Sequence, residues 1–240
     1  MQFGIAIPTA ADSWRLVRRA EELGFSHAWF FDTQMLSADP FVAMTAAAMK
    51  TSRIKLGTGV LIPSNRIAPV AATAFASLNK LAPGRIVFGV STGFTGRRTM
   101  GLGAVKLADM EEYIRVIQAL SRGATVEFSV EGKRRKIRLL NPELRLINTH
   151  DPMPIYIAAS GPKARALTAK LGAAWIDGVA DPERGAASLT QMRTIWQAAG
   201  QPPEALIAVA WTSGAVLEDG EPVDGPRGMA LAGPRVATLL

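Results

Sequence analysis

The sequence predicts an α/β fold of TIM type, a (β/α)8 barrel truncated after its seventh strand, with an insertion between the fourth helix and the fifth strand. Three observations predict it. Short apolar, β-rich runs alternate with amphipathic helical stretches, the pattern of a parallel sheet with crossover helices. The 240 residues, 48% hydrophobic, suffice for one large core and suit a one-domain barrel. The alternation yields seven strands where closure needs eight, so residues 1–240 read as a single barrel domain whose C-terminal part is missing.

The first strand runs from Gln2 to Ile7. The helix after it takes Asp12 or Ser13 as N-cap. It sets Leu16, Ala20 and Leu23 inward at helical spacing, charges from Arg15 to Glu22 outward, and stops at Gly24. Strand two is His27 to Phe31, helix two Pro40 to Lys50, strand three Ile54 to Val60, helix three Pro69 to Leu81 and strand four Arg85 to Val90. Helix four carries Met110, Tyr113, Ile114, Ile117 and Leu120 on one face. About thirty residues then break the rhythm, including the hairpin-like VEFSVEGKRRKIRLL. Strand five follows at Ile155 to Ala159, with helix five at Pro162 to Leu171, strand six at Trp175 to Val179, helix six at Pro182 to Ala199 and strand seven at Leu206 to Thr212. The final GPRVATLL reads as the opening of a helix with no strand after it.

Composition excludes several chemistries. With no cysteine there is no disulfide, thiolate nucleophile or cysteine metal site. Two histidines, His27 and His150, leave little for a zinc site or a Ser-His-Asp triad, and no metal site is predicted. No stretch has the roughly 20 apolar residues of a membrane span, and MQFGIAIP lacks a signal-peptide layout, so a cytoplasmic protein without membrane partners is expected. The net charge of +7 favours anionic partners, but much of it sits in Lys133, Arg134, Arg135, Lys136 and Arg138, which read as a solvated loop. No aromatic platform or recognition-helix pattern accompanies that run, so no nucleic-acid partner is predicted.

In such folds function collects at the carboxyl ends of the strands. After strand five, Ala158-Ala159-Ser160-Gly161-Pro162-Lys163 combines small residues, a proline suited to a first helical turn, a hydroxyl and a cation. Free N–H groups there would meet a phosphate, although an ordinary helix start has the same look. Strand three ends in GTGVLIPSNR and strand four in GVSTGFTGRR, so glycines gather around one mouth.

Taken with FFDTQ at Phe30 to Gln34 and ALTAKLGAAWIDGV at Ala166 to Val179, these segments resemble the bacterial luciferase-like family of flavin and deazaflavin oxidoreductases. The nearest branch is similar to methylene-tetrahydromethanopterin reductase. LGTGVLIPSNRIAP, LAPGRIVFGVSTGF and IYIAASGPKA, in that order, carry the resemblance across the chain. It implies an FMN- or coenzyme F420-dependent enzyme acting on a small molecule, monooxygenase in the first case and hydride-transferring in the second, and a homo-oligomer. It implies a cis peptide between Gly59 and Val60 at the ring face, with Ser91, Thr92 and Gly93 at the ring edge and the cofactor phosphate on Ser160, Gly161 and Lys163. Asp32, Thr33 and Gln34 would contact ring or substrate, Asp32 being equally suited to forming a turn. Thr33 stands where sugar-phosphate-oxidising members place a catalytic histidine. Asp177 would join the mouth or cap a helix. On that resemblance the ring would supply the redox chemistry and the protein the positioning. The alternative is a truncated, non-catalytic barrel acting as a binding or subunit-interface protein.

Overall fold

A computed structural model describes residues 1–179 and 181–236. Seven parallel strands form one sheet: β1 (Gly4–Ile7), β2 (His27–Phe30), β3 (Lys55–Thr58), β4 (Ile86–Val90), β7 (Ile155–Ala158), β8 (Ala174–Gly178) and β9 (Ala208–Trp211), ordered β1-β2-β3-β4-β7-β8-β9. Between β4 and β7 lies an antiparallel hairpin of β5 (Val126–Val130) and β6 (Lys133–Ile137), the predicted insertion. The helices are α1 (Trp14–Glu22), α2 (Pro40–Lys50), α3 (Ala68–Leu81), α4 (Thr95–Arg98), α5 (Leu107–Ser121), α6 (Pro162–Lys170), α7 (Pro182–Ala198) and α8 (Pro226–Val236). Strand and helix bounds fall within two residues of the sequence reading for most elements. The short α4 lies in GVSTGFTGRR, where no helix is predicted, and the last helix opens at Pro226 rather than at Gly233. The rest of GPRVATLL, residues 237–240, lies outside the described residues.

The central strands β2, β3, β4, β7 and β8 are largely buried on both faces, while the edge strands β1 and β9 are partly exposed. Ala28 and Phe30 of β2, Phe88 of β4, Ile157 of β7 and Trp175 of β8 pack into the helix layer. Trp29, Val87, Tyr156 and Ile176 point the other way and fill the inside of the arc. Although four strands separate β2 from β9, the Trp29 and Trp211 rings lie 6.5 Å apart, so the sheet curls into a half-barrel. The curl depends on glycine: an added Cβ at Gly57 would come within 2.8 Å of the Trp29 ring, and one at Gly89 within 2.0 Å of the Thr58 carbonyl oxygen. Across that approach the Thr58 hydroxyl donates to the Gly89 carbonyl (2.7 Å) and accepts from the Gly89 N–H (3.1 Å).

Helix starts follow proline and aspartate, as the physics of unpaired first-turn N–H groups predicts. Asp39 caps α2 by accepting from Phe41 and Val42, and Asp181 caps α7 by accepting from Arg184. α1 departs from expectation. Ser13 accepts from Ala10 instead of capping the helix, and the buried residues are Val17 and Ala20, with Leu16 and Leu23 exposed. Trp14 faces α2, where Lys50 lies over its ring. Leu16 and Leu23 occupy the opposite flank, and since β1 is the edge strand that flank ends the helix layer.

Candidate active site

The loops that leave β2, β3 and β4 are joined by two side chains. Asp32, buried, accepts from the Ile62 N–H (3.0 Å) and pairs with Arg66 (3.5 Å), which also meets Asp39 and lies over the Phe41 ring. Gln34 accepts from the Asn65 amide (2.7 Å) and donates to the Gly96 carbonyl (2.6 Å). Between them Thr33 is half-buried, and its carbonyl accepts from the Leu36 and Ser37 N–H groups. Of this predicted trio, Asp32 and Gln34 therefore sit in protein–protein bonds that fix the mouth.

The Gly59–Val60 peptide is cis, where the resemblance put it. Gly59 is wedged between tryptophans: an added Cβ would be 2.8 Å from the Trp29 Cβ and 3.0 Å from the Trp211 ring. Val60 is half-buried beside them. On the next strand, the Ser91 N–H donates to the Leu61 carbonyl (3.2 Å) and its hydroxyl to the Ala158 carbonyl at the end of β7 (3.0 Å). The Thr92 carbonyl accepts from Val105, and Gly93 turns the chain with φ +79. Ser91 thus ties the glycine-rich end of β4 to the strand that leads into Ser160 and Gly161.

That last loop is open. Ser160, Gly161 and Lys163 are exposed, no side chain caps α6, and a Cβ built on Gly161 would meet nothing within 4 Å. The first-turn N–H groups and the positive end of the helix dipole point at free space, the arrangement that receives a phosphate.

Behind the loop lies a group that sequence reasoning missed. Arg165, 7% exposed, donates to Ser188 (2.7 Å) and Gln191 (2.9 Å) of α7, pairs with Asp177 of β8 (3.4 Å) and stacks on Trp175. The Trp175 indole donates to the Ala159 carbonyl (2.8 Å). Asp177 therefore neither joins the mouth nor caps a helix; it turns to the helix layer, where Arg165 neutralises it. The one sign available was Arg165 itself, a cation on the α6 side that carries Leu167 and Ala169 inward.

Neither histidine reaches the mouth. His27 stands at the start of β2, stacked on Trp29 at 5.7 Å, and burial with the Lys55 charge depresses it to about 4, so the ring is neutral. His150 is exposed in the segment before β7.

A profile described as Luciferase-like monooxygenase matches residues 2–221. The F420-dependent hydroxymycolic acid dehydrogenase of Mycobacterium tuberculosis is 32% identical over 201 residues, 78% of this chain and 54% of that protein. The 5,10-methylenetetrahydromethanopterin reductase of Archaeoglobus fulgidus is 29% identical over 224 residues, 91% of this chain and 65% of that protein. A third relative, the F420-dependent glucose-6-phosphate dehydrogenase of Beutenbergia cavernae, is 39% identical over 138 residues, 55% of this chain and 39% of that one. The chain thus spans between about two fifths and two thirds of the length of these relatives. Among solved structures, the coenzyme F420-dependent tetrahydromethanopterin reductase of Methanopyrus kandleri superposes with a TM-score of 0.74 at 22% identity, over 89% of this chain and 66% of that one. The monooxygenase RslO1 of Streptomyces bottropensis gives 0.80 at 22% identity, over 99% and 79%. These two likenesses show the fold.

Proposed function

Since the chain belongs to the luciferase-like monooxygenase family, we propose that its mouth is the cofactor seat of an oxidoreductase that uses coenzyme F420 for hydride transfer to or from a small organic substrate. The observation that carries this reading is the uncapped N-terminus of α6, with Gly161 opening onto free space and Ser91 tying the preceding strand β7 to the end of β4. F420 is favoured over FMN because two relatives with F420 in their names align at 32% and 39% identity. FMN shares the ring and phosphate and would meet the same seat.

In this reading Ser160, Lys163 and the first N–H groups of α6 hold the phosphate, while Val60, Ser91, Thr92 and Gly93 border the ring. The bound ring supplies the hydride chemistry. Asp32 acts by position, holding Ile62 and Arg66 so that the loop after β3 keeps its course. Thr33 offers no proton acceptor of the histidine type at its place, which argues against hexose phosphates as substrates. Trp29, Trp211 and Phe31 wall the inner side with apolar rings and exclude water there.

Calorimetric titration with F420, FMN and riboflavin tests the seat. F420 is expected to bind most tightly, and glucose 6-phosphate to leave it oxidised. Lys163→Ala combined with Gly161→Pro removes a charge-assisted contact and a backbone donor, worth about 1.5–3 kcal/mol each. The phosphate-bearing ligands should lose that affinity and riboflavin should not. Equal loss for all three overturns the phosphate assignment. Binding of none points to the non-catalytic barrel instead.

A further inference from the structure

At the amino ends of the strands, opposite the mouth, the ends of α3 and α5 and the segment 139–151 enclose a hollow of about 710 Å³. We propose that this cleft binds a small amphipathic organic anion, an apolar body carrying one carboxylate, sulfonate or phosphate. The volume lies within the range of small-molecule sites, and the lining has the composition of one. Leu139, Leu140, Ile147 and Pro83 supply apolar walls, and Lys80 and Arg145 add two cations. Asp151, the acidic residue of the lining, already accepts from the Asn148 amide (2.6 Å).

One wall is tied to the body of the fold, while Leu140, Pro142 and Arg145 of the other are exposed. Asn148 binds α3 through its N–H to the Ala76 carbonyl (3.0 Å) and its amide to the Asn79 carbonyl (3.1 Å), and it also accepts from the His150 N–H (2.9 Å). The Lys80 ammonium donates to the Arg145 carbonyl. Asn141 and Arg145 bracket the Pro142–Leu144 turn in left-handed conformations, φ 53 and 50, which non-glycine residues adopt where surrounding structure holds them. A second hollow of about 220 Å³ shares the wall of Thr149, His150 and Asp151. It adds Arg122 and Ser121, whose hydroxyl is buried with no hydrogen-bond partner among the described residues. A ligand extending past His150 would give that hydroxyl a partner.

The probe is 1-anilinonaphthalene-8-sulfonate, which joins an aromatic body to one anion; its uncharged counterpart N-phenyl-1-naphthylamine isolates the contribution of charge. The parent chain should bind the sulfonate one to one and gain hydrogen-exchange protection across residues 139–151. Lys80→Gln with Arg145→Asn, asparagine being at ease in a left-handed backbone, should weaken the sulfonate roughly tenfold or more by removing two cations. The uncharged probe should bind both proteins alike. Unchanged sulfonate affinity in a folded double variant, or protection centred on β1 and β9 instead, overturns the site. Should the double variant not fold, the exchange footprint of the parent decides alone.

Discussion

An added Cβ at Gly89 would lie 2.0 Å from the backbone oxygen of Thr58, whereas at Gly161 it would meet nothing within 4 Å. Gly89→Ala therefore forces two strands apart and should destabilise the fold by about 3 kcal/mol or more. Gly161→Ala, at φ −87, should stay within about 0.5 kcal/mol of the parent in the same urea titration. A tolerant Gly89→Ala would contradict the close approach of β3 and β4. His27 makes a second residue-scale prediction. Its folded pKa of about 4 lies below the ordinary value of 6.5, so between these pH values the unfolded chain binds a proton that the folded one refuses. Stability is then full above about pH 6.5 and falls as the pH drops towards 4, with a slope of at most about 1.4 kcal/mol per pH unit. His27→Phe, which keeps a ring against Trp29, should flatten that part of the profile in thermal melts recorded at stepped pH.

Arg165 binds three elements at once, and its removal leaves Asp177 buried without a counter-charge. Arg165→Ala should cost about 3–5 kcal/mol, and pairing Arg165→Leu with Asp177→Leu should recover much of the loss, as measured by chemical unfolding. If the single and double variants melt together, the ion pair does not hold α6, β8 and α7 in place. This cluster also shows where the sequence stops being legible. The strands could be read because apolar runs such as AWF and IVFGV are β-rich and too short for a helix, and helix starts because Pro40, Pro162 and Pro182 sit at first turns. The glycines of the mouth were found by the same logic. Arg165 was hidden because a cation on a short helix looks solvated until its partners, twelve and more residues away, are folded against it. Leu16 and Leu23 misled for the mirror reason: helical spacing reveals an apolar stripe but not whether a neighbour lies beside it. Asp32 could be picked out, but that its carboxylate faces the Ile62 N–H and Arg66 depends on loops that meet only in the fold.

Over the whole molecule, β1 and β9 each have one paired side in the sheet, so among the described residues their outer edges present unpaired N–H and C=O groups, with Phe3 and Ile207 exposed nearby. Such edges recruit other strands. Size-exclusion of the 240-residue chain should show association that grows with concentration, and Phe3→Lys with Ile207→Lys should shift it towards monomer. A monodisperse monomer at every concentration would show that the edges are protected by other means. The contact between Trp29 and Trp211 has a consequence of a different kind, in time rather than space. A ribosome releases Trp29 well before Trp211. Until β9 emerges the earlier indole has no ring from that strand to rest on, and Gly59 has only one of its two tryptophan neighbours. The emerging half of the arc can pair β1 through β4 by contacts close in sequence, whereas the cover over Trp29 is completed in stages, by Tyr156 of β7 and then by Trp211 of β9. A slow-translating stretch just before β9 would therefore lengthen the time for which the Trp29 indole waits for Trp211.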